Sequence, residues 1–106
     1  MKETENVFVW LQKWYSSQCD GDWEHEFGVT IDTVDNPGWY VTINLRGTLL
    51  ENCSFTPIEI ETDEMNWFFC LKRDDKFESS CSPLYLTKVL QIFQEWAEKC
   101  EKEKGL

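Results

Sequence analysis

The sequence predicts an α+β domain of two layers, with an antiparallel meander sheet of four or five strands and N- and C-terminal helices packed on one face. Three observations predict it. Apolar residues recur at helical spacing near both ends of the chain. Between the ends they alternate with period two in several short runs, and turn residues punctuate those runs. At 106 residues the whole chain, residues 1–106, forms one domain. A chain of this size hides roughly 60–70% of its unfolded surface, enough for one core without covalent staples.

Residues 5–18 read as a helix, because Val7, Trp10, Leu11 and Trp14 fall on one stripe and Thr4 can cap it. Both tryptophans of the stripe are expected in the core. Cys19, Asp20, Gly21 and Asp22 end the helix. The first strand is expected at residues 24–32, where His25, Phe27, Val29 and Ile31 alternate with Glu24, Glu26, Thr30 and Asp32. The stretch TVDNPG is turn chemistry, since Asp and Asn tolerate unusual backbone angles and Pro-Gly breaks a ladder. Trp39, Val41, Ile43 and Leu45 then alternate with Tyr40, Thr42, Asn44 and Arg46 in a second strand at residues 39–46.

Sharing one apolar face sets the hairpin register, because a slip of one residue would expose every apolar side chain. Ile31 is placed opposite Trp39, Val29 opposite Val41, Phe27 opposite Ile43 and His25 opposite Leu45. The polar face then sets Glu24 opposite Arg46, Glu26 opposite Asn44 and Thr30 opposite Tyr40. The Glu24–Arg46 pair contributes roughly 0.2–1 kcal/mol in this arrangement.

Gly47 opens the next turn. A third strand is expected at residues 53–61, where Cys53 and Phe55 share one parity and Ile58 and Ile60 the other, so that a bulge at Pro57 reconciles them. TDEMN turns into a fourth strand at residues 66–72, apolar on both sides in part, and a turn at residues 74–76 leads to a short fifth strand around 77–80. The closing helix is expected at residues 82–100, with Ser82 as N-cap and Pro83 in the first helical position. Leu86, Val89, Leu90, Phe93, Trp96, Ala97 and Cys100 form its apolar stripe, and the charged tail EKEKGL is expected to fray. No repeat, linker or low-complexity segment is present.

Twenty acids against ten Lys and Arg give a formal charge of −10. Such a surface repels nucleic acid, whose binding runs on phosphate neutralisation, and favours a cationic partner. The surplus is concentrated. Residues 19–36 hold Asp20, Asp22, Glu24, Glu26, Asp32 and Asp35, residues 59–66 hold Glu59, Glu61, Asp63 and Glu64, and neither stretch has a Lys or Arg. In an up-down meander the first and third strands run the same way, which brings Asp32 and Asp35 near Asp63 and Glu64 as an acidic rim.

No basic start followed by an apolar run is present and no apolar stretch is long enough to span a membrane, so a cytoplasmic protein with no membrane partner is expected. The five cysteines are irregularly spaced, odd in number and without a CxxC, which reads as reduced thiols, several of them buried. One histidine and scattered cysteines do not make a zinc site, and no cofactor is expected.

The stretch DGDWEHE offers an enzyme reading. Asp20, Asp22 and Glu24 resemble the first ligands of a calcium loop, but His25 stands where the loop needs glycine and Ile31 where it needs glutamate. A divalent ion held by Asp22, Glu24 and Glu26 meets the difficulty that a strand turns Glu24 and Glu26 away from His25. An acid–base pair of His25 with Glu24 or Glu26, or a nucleophile pair with a cysteine, is weighed against a structural histidine on the core side. No nucleophile elbow and no glycine-rich phosphate loop is present. Trp23 reads as a core or rim aromatic before a binding platform.

With WLQKWY in the first helix, CDGDWEH after it, TVDNPGW at the hairpin turn, LRGTLL after the second strand and an aromatic-rich closing helix, the chain resembles the immunity protein 53 family of bacterial polymorphic toxin systems. The resemblance implies a small cytosolic protein, encoded beside a secreted toxin, that binds the toxin and prevents self-killing, with no enzymatic activity. Asp32, Asp35, Asp63 and Glu64 of the rim, with Glu24, Glu26, Tyr40 and Arg46 of the polar sheet face, are then the expected contacts with a cognate toxin of basic active-site surface, one that acts on nucleic acid. The alternative is a small metal-dependent or acid–base hydrolase centred on Asp22, Glu24 and His25. A homodimer that hides the polar face or an open strand edge is a third expectation.

Overall fold

In the computed structural model, which describes residues 6–105, two helices pack on one face of a five-stranded antiparallel sheet. The elements are α1 (Val7–Gln18), α2 (Trp23–Glu26), β1 (Val29–Val34), β2 (Gly38–Asn44), β3 (Ile58–Asp63), β4 (Asn66–Arg73), β5 (Lys76–Cys81) and α3 (Leu86–Gly105). The α+β class, the strand number and the two terminal helices stand as the sequence predicts.

Helix α1 buries Val7, Leu11 and Trp14 of the stripe expected of it, while Trp10 is only half-buried against the core. Thr4 lies outside the described residues, and Asn6 is the cap, its side-chain Oδ1 accepting the Phe8 N–H at 2.8 Å. The first strand is shorter than its alternation suggests, because residues 23–26 form the single helical turn α2 instead. His25 therefore does not face the core; it is exposed on α2. The hairpin keeps the expected parity but is shifted by two residues: Val29 pairs with Ile43, Ile31 with Val41 and Thr33 with Trp39. The cross-strand pair of Glu24 and Arg46 does not form, and the Arg46 guanidinium instead meets Asp75 at 3.1 Å.

Strand β3 begins after Pro57, so the parity change there is a strand start and not a bulge; the ladder irregularity lies at Glu61 and Asp63. Asp74 and Asp75 make the two-residue turn between β4 and β5, both with positive φ (55° and 60°), a backbone that Asp tolerates better than most residues. Helix α3 starts later than expected. Ser82 is buried and its hydroxyl donates to the Met65 carbonyl at 2.8 Å, so it ties the chain to the sheet and does not cap a helix. The tail continues as helix to Gly105.

The strand order is β1-β2-β5-β4-β3, which departs from a strict meander. After β2, residues 45–57 cross to the far edge, and β5 returns to fill the gap beside β2. The crossing segment is held by Lys72. This side chain shares the parity of Phe68 and Cys70 and so points to the core side, where its ammonium donates to the carbonyls of Leu50, Glu51 and Cys53 at 3.2, 2.7 and 2.6 Å. Leu50 and Cys53 are buried beneath it.

The core centres on Phe77 of β5 and Phe93 of α3, both fully buried with ring centroids 5.1 Å apart. Phe93 also meets Trp10 and Trp14 of α1 edge-on, at 5.8 and 5.2 Å. Phe77 meets Phe55 of the crossing segment at 5.5 Å. None of the five cysteines forms a disulfide. Burial pushes the Cys81 thiol up to about 11 and raises that of Cys70, which keeps both protonated.

Two substitutions test this packing. A Cβ on Gly38 would collide with the Cys81 carbonyl oxygen on the neighbouring strand, so Gly38→Ala is expected to destabilise by about 1–3 kcal/mol in urea unfolding. Lys72→Met keeps the stem but leaves three carbonyls without their donor, and a loss of roughly 2–3 kcal/mol is expected from the same measurement.

Candidate functional site

Because both helices lie on the face that presents Val41, Ile43, Phe68 and Phe77, the opposite face of the sheet is open. Alternation decides what it shows. One row of cross-strand neighbours runs across all five strands as Asp32, Tyr40, Ser80, Phe69 and Glu59. The row nearer the β1–β2 turn carries Val34, Gly38, Trp67 and Glu61. The row on the other side carries Thr30, Thr42, Glu78 and Leu71. The face is thus aromatic along its middle and acidic at both edges.

The antiparallel order makes β1 and β3 run the same way although three strands separate them. Their following turns, with Asp35 in one and Glu64 in the other, therefore lie at the same end of the sheet. A groove of about 760 Å³ joins them, walled by Asn36, Pro37, Glu61 and Glu64 and floored by Trp67 and Phe69. Asp32, Asp35, Glu61 and Glu64 meet no hydrogen-bond or ion-pair partner among the described residues. At the other end of the strands two arginines are paired with acids, Arg73 with Glu78 at 2.7 Å and Arg46 with Asp75 at 3.1 Å.

The eight expected contact residues fall into two groups. Asp32 and Tyr40 are direct neighbours on the open face, Asp35 and Glu64 lie in the turns at its acidic end, and Asp63 is the last residue of β3 beside them. Glu24, Glu26 and Arg46 are not on that face. They sit at the opposite end of the sheet, where Glu26 and Arg46 line a separate hollow of about 380 Å³ with His25 and Trp23. Trp67 and Phe69 were not singled out by the pattern and Glu61 was counted among the clustered acids but not among the contacts, although the run NWFFCLK, apolar at both parities, was the trace of an outward aromatic pair.

Several of the acids have local structural work. Asp20 accepts the N–H groups of Asp22 and Trp23, each at 2.9 Å, and Glu24 accepts those of Asp20 and Gly21 at 3.0 and 2.8 Å. The Trp23 and Asp22 amides hold the Asp20 carboxyl below its ordinary value, and the amides of Glu24 itself, Asp20 and Gly21 do the same for Glu24. Together the two carboxylates fold DGDWEHE around Trp23, whose buried indole donates to the Arg46 carbonyl at 2.8 Å. Asp63 behaves similarly: it accepts the Met65 N–H at 2.8 Å and the Asn66 amide at 2.9 Å, which lower its pKa. Its charge organises the turn. The hydrolase expectation needs Asp22, Glu24 and His25 to converge, and Glu24 is instead turned back onto the backbone of its own loop. Among the described residues no three His, Cys, Asp or Glu side chains are placed to hold a metal ion.

The chain matches the family model described as Immunity protein 53 over residues 8–98. No curated protein and no solved structure matches it.

The acid-folded loop has a pH signature. Carboxyls held below their ordinary values stabilise the fold above the carboxylate range and lose that contribution as pH falls through their folded values. Glu24→Gln is therefore expected to lower the melting temperature at pH 7, with the gap to the parent protein closing below about pH 4 in thermal melts followed by circular dichroism.

Proposed function

Because the chain belongs to the immunity protein 53 family, we propose that it binds and neutralises a cognate bacterial toxin, and that it does so through the open face of the sheet and the acidic turns at its end. The observation that carries the reading is the combination on one surface of unpaired carboxylates (Asp32, Asp35, Glu61, Glu64) with outward aromatics (Tyr40, Trp67, Phe69). Aromatic anchors ringed by charge are the usual make-up of tight protein interfaces. The partner with the complementary surface is a basic one, and a toxin that acts on nucleic acid has such a surface at its active site. By covering that site the protein would block it without any chemistry of its own, so we assign it no catalytic role. The reading places its action in the cytoplasm, where the producing cell meets the toxin. No helix among the described residues is long and apolar enough to cross a membrane. A second copy of the chain is the competing occupant, because β1 and β3 are both open sheet edges, and light scattering distinguishes the two by mass.

Co-purification with the toxin encoded beside it tests the proposal: a stable one-to-one complex that abolishes toxicity is expected. Asp63 is a poor probe, since reversing its charge would also disrupt the turn. Asp35→Lys with Glu61→Lys and Glu64→Lys is expected to slow association about 10- to 100-fold at low salt, with the difference narrowing at high salt. An unchanged association rate at low salt removes this face from the reading.

A further inference from the structure

We infer that the groove between the two turns receives an arginine-bearing segment of the partner, a guanidinium lying on the Trp67 ring between the carboxylates of Glu61 and Glu64. The inference rests on the immunity reading and specifies what would enter its surface.

Trp67 is set apart from most of the other tryptophans. The indole N–H groups of Trp14, Trp23, Trp39 and Trp96 each meet an acceptor, on Glu101, Arg46, Pro83 and Ser54 respectively. That of Trp67 meets none among the described residues, and its ring faces away from the core. The ring is nonetheless held in place. Phe69 lies beside it with centroids 5.6 Å apart and planes tilted by 34°. On the other side, the far end of the indole passes 3.4 Å from the point where a Cβ on Gly38 would stand, so the missing side chain leaves the space the ring occupies. A platform fixed before binding loses little entropy on contact.

The charge around the platform selects the occupant. Glu61 stands across the ladder from Trp67, and Glu59 across from Phe69, so each ring has a carboxylate at its flank. Glu64 closes the rim, and among the described residues no Lys or Arg lines the groove. An apolar segment would desolvate these carboxylates without pairing them, and an anion would be repelled. A cation satisfies both features at once, by its attraction to the ring face and by bonds to the acids. Arginine fits better than lysine. Its planar, weakly hydrated guanidinium stacks on an indole while its edge N–H groups reach carboxylates on either side. At about 760 Å³ the groove is larger than one side chain, which calls for a chain segment rather than a lone residue.

The test is an NMR titration of the intact protein at low salt with a tri-arginine peptide and, separately, a tri-lysine peptide, following the six indole N–H signals and assigning that of Trp67 by its loss in Trp67→Phe. Saturable shifts centred on the Trp67 indole are expected, with tri-arginine binding roughly 3- to 10-fold tighter than tri-lysine. Glu61→Gln with Glu64→Gln, which preserves shape, is expected to weaken tri-arginine about tenfold. Equal affinity for the two peptides with the Trp67 indole unmoved would overturn the inference. So would full protection against the toxin by Trp67→Ala, which leaves the immunity reading standing. Shifts at Trp67 in a protein that protects against no neighbouring toxin would support the groove and remove the reading beneath it.

Discussion

The contact between Phe77 and Phe93 is the constraint on which the rest of the structure depends. It joins the strand inserted at the middle of the sheet to the closing helix, and each ring recruits a further element: Phe93 the tryptophans of α1, Phe77 the crossing segment through Phe55. The rings meet edge-on or tilted, the arrangements that aromatic quadrupoles favour. Full burial of each contributes roughly 1.5–3 kcal/mol. Since both helices are drawn to this one point, both must lie on one face of the sheet. The opposite face is left without cover, and its composition is then free to answer to something other than folding. The surface assigned to the partner is in this sense a consequence of where the aromatic core sits.

How much of this was legible depended on the range of the signal. Period-two alternation identified the hairpin strands and their inward parity, and helical stripes found α1 and α3. Parity does not distinguish a register from one shifted by two residues, so the hairpin was placed correctly as to faces and displaced along its length. DGDWEHE showed the limit of alternation. His25, Phe27, Val29 and Ile31 read as one continuous strand, yet Asp20 and Glu24 had backbone amides to accept, and residues 23–26 closed into a helical turn. Ser82 misled in the same way: a hydroxyl before Pro83 looks like a cap, and only the folded sheet brings the Met65 carbonyl to it. Strand order lay beyond local pattern altogether. Its one trace was the length of the connection between β2 and β3, residues 45–57, long enough to pass three strand spacings of about 4.8 Å.

The candidate surface was half legible for a related reason. Clustered acids are visible in a sequence, but their employment is not. Asp20, Glu24 and Asp63 fold loops, and Asp75 and Glu78 pair with arginines, whereas the carboxylates of Asp32, Asp35, Glu61 and Glu64 have no partner among the described residues. The expectation that the first and third strands run the same way holds in the unexpected strand order, because inserting β5 between β2 and β4 preserves the alternation of directions, but the two stand at opposite edges of the sheet and not on one. What the expectation lacked was the aromatic floor. Trp67 and Phe69 share one parity of a strand whose other parity, Phe68 and Cys70, is buried. A strand apolar on both parities in a sheet covered on one face must expose one set, and that conflict is readable from NWFFCLK once the helices are counted.

Charge and aromatics divide the work of such a surface unequally. An exposed ion pair contributes about 0–1 kcal/mol, and at physiological salt its reach ends near 8 Å. Even several free carboxylates therefore supply orientation and encounter rate more than holding energy. An aromatic anchor desolvated at the centre of an interface accounts for 2 kcal/mol or more when removed, by typical measure. Apart from Glu78, which is paired with Arg73, the acids of the open face lie at its edges and in its end turns, and the rings lie between them, so the geometry puts the screened, long-range interaction outside and the short-range one inside. A partner approaching along the field would be delivered to the end of the sheet where the turns meet, which is where Trp67 lies.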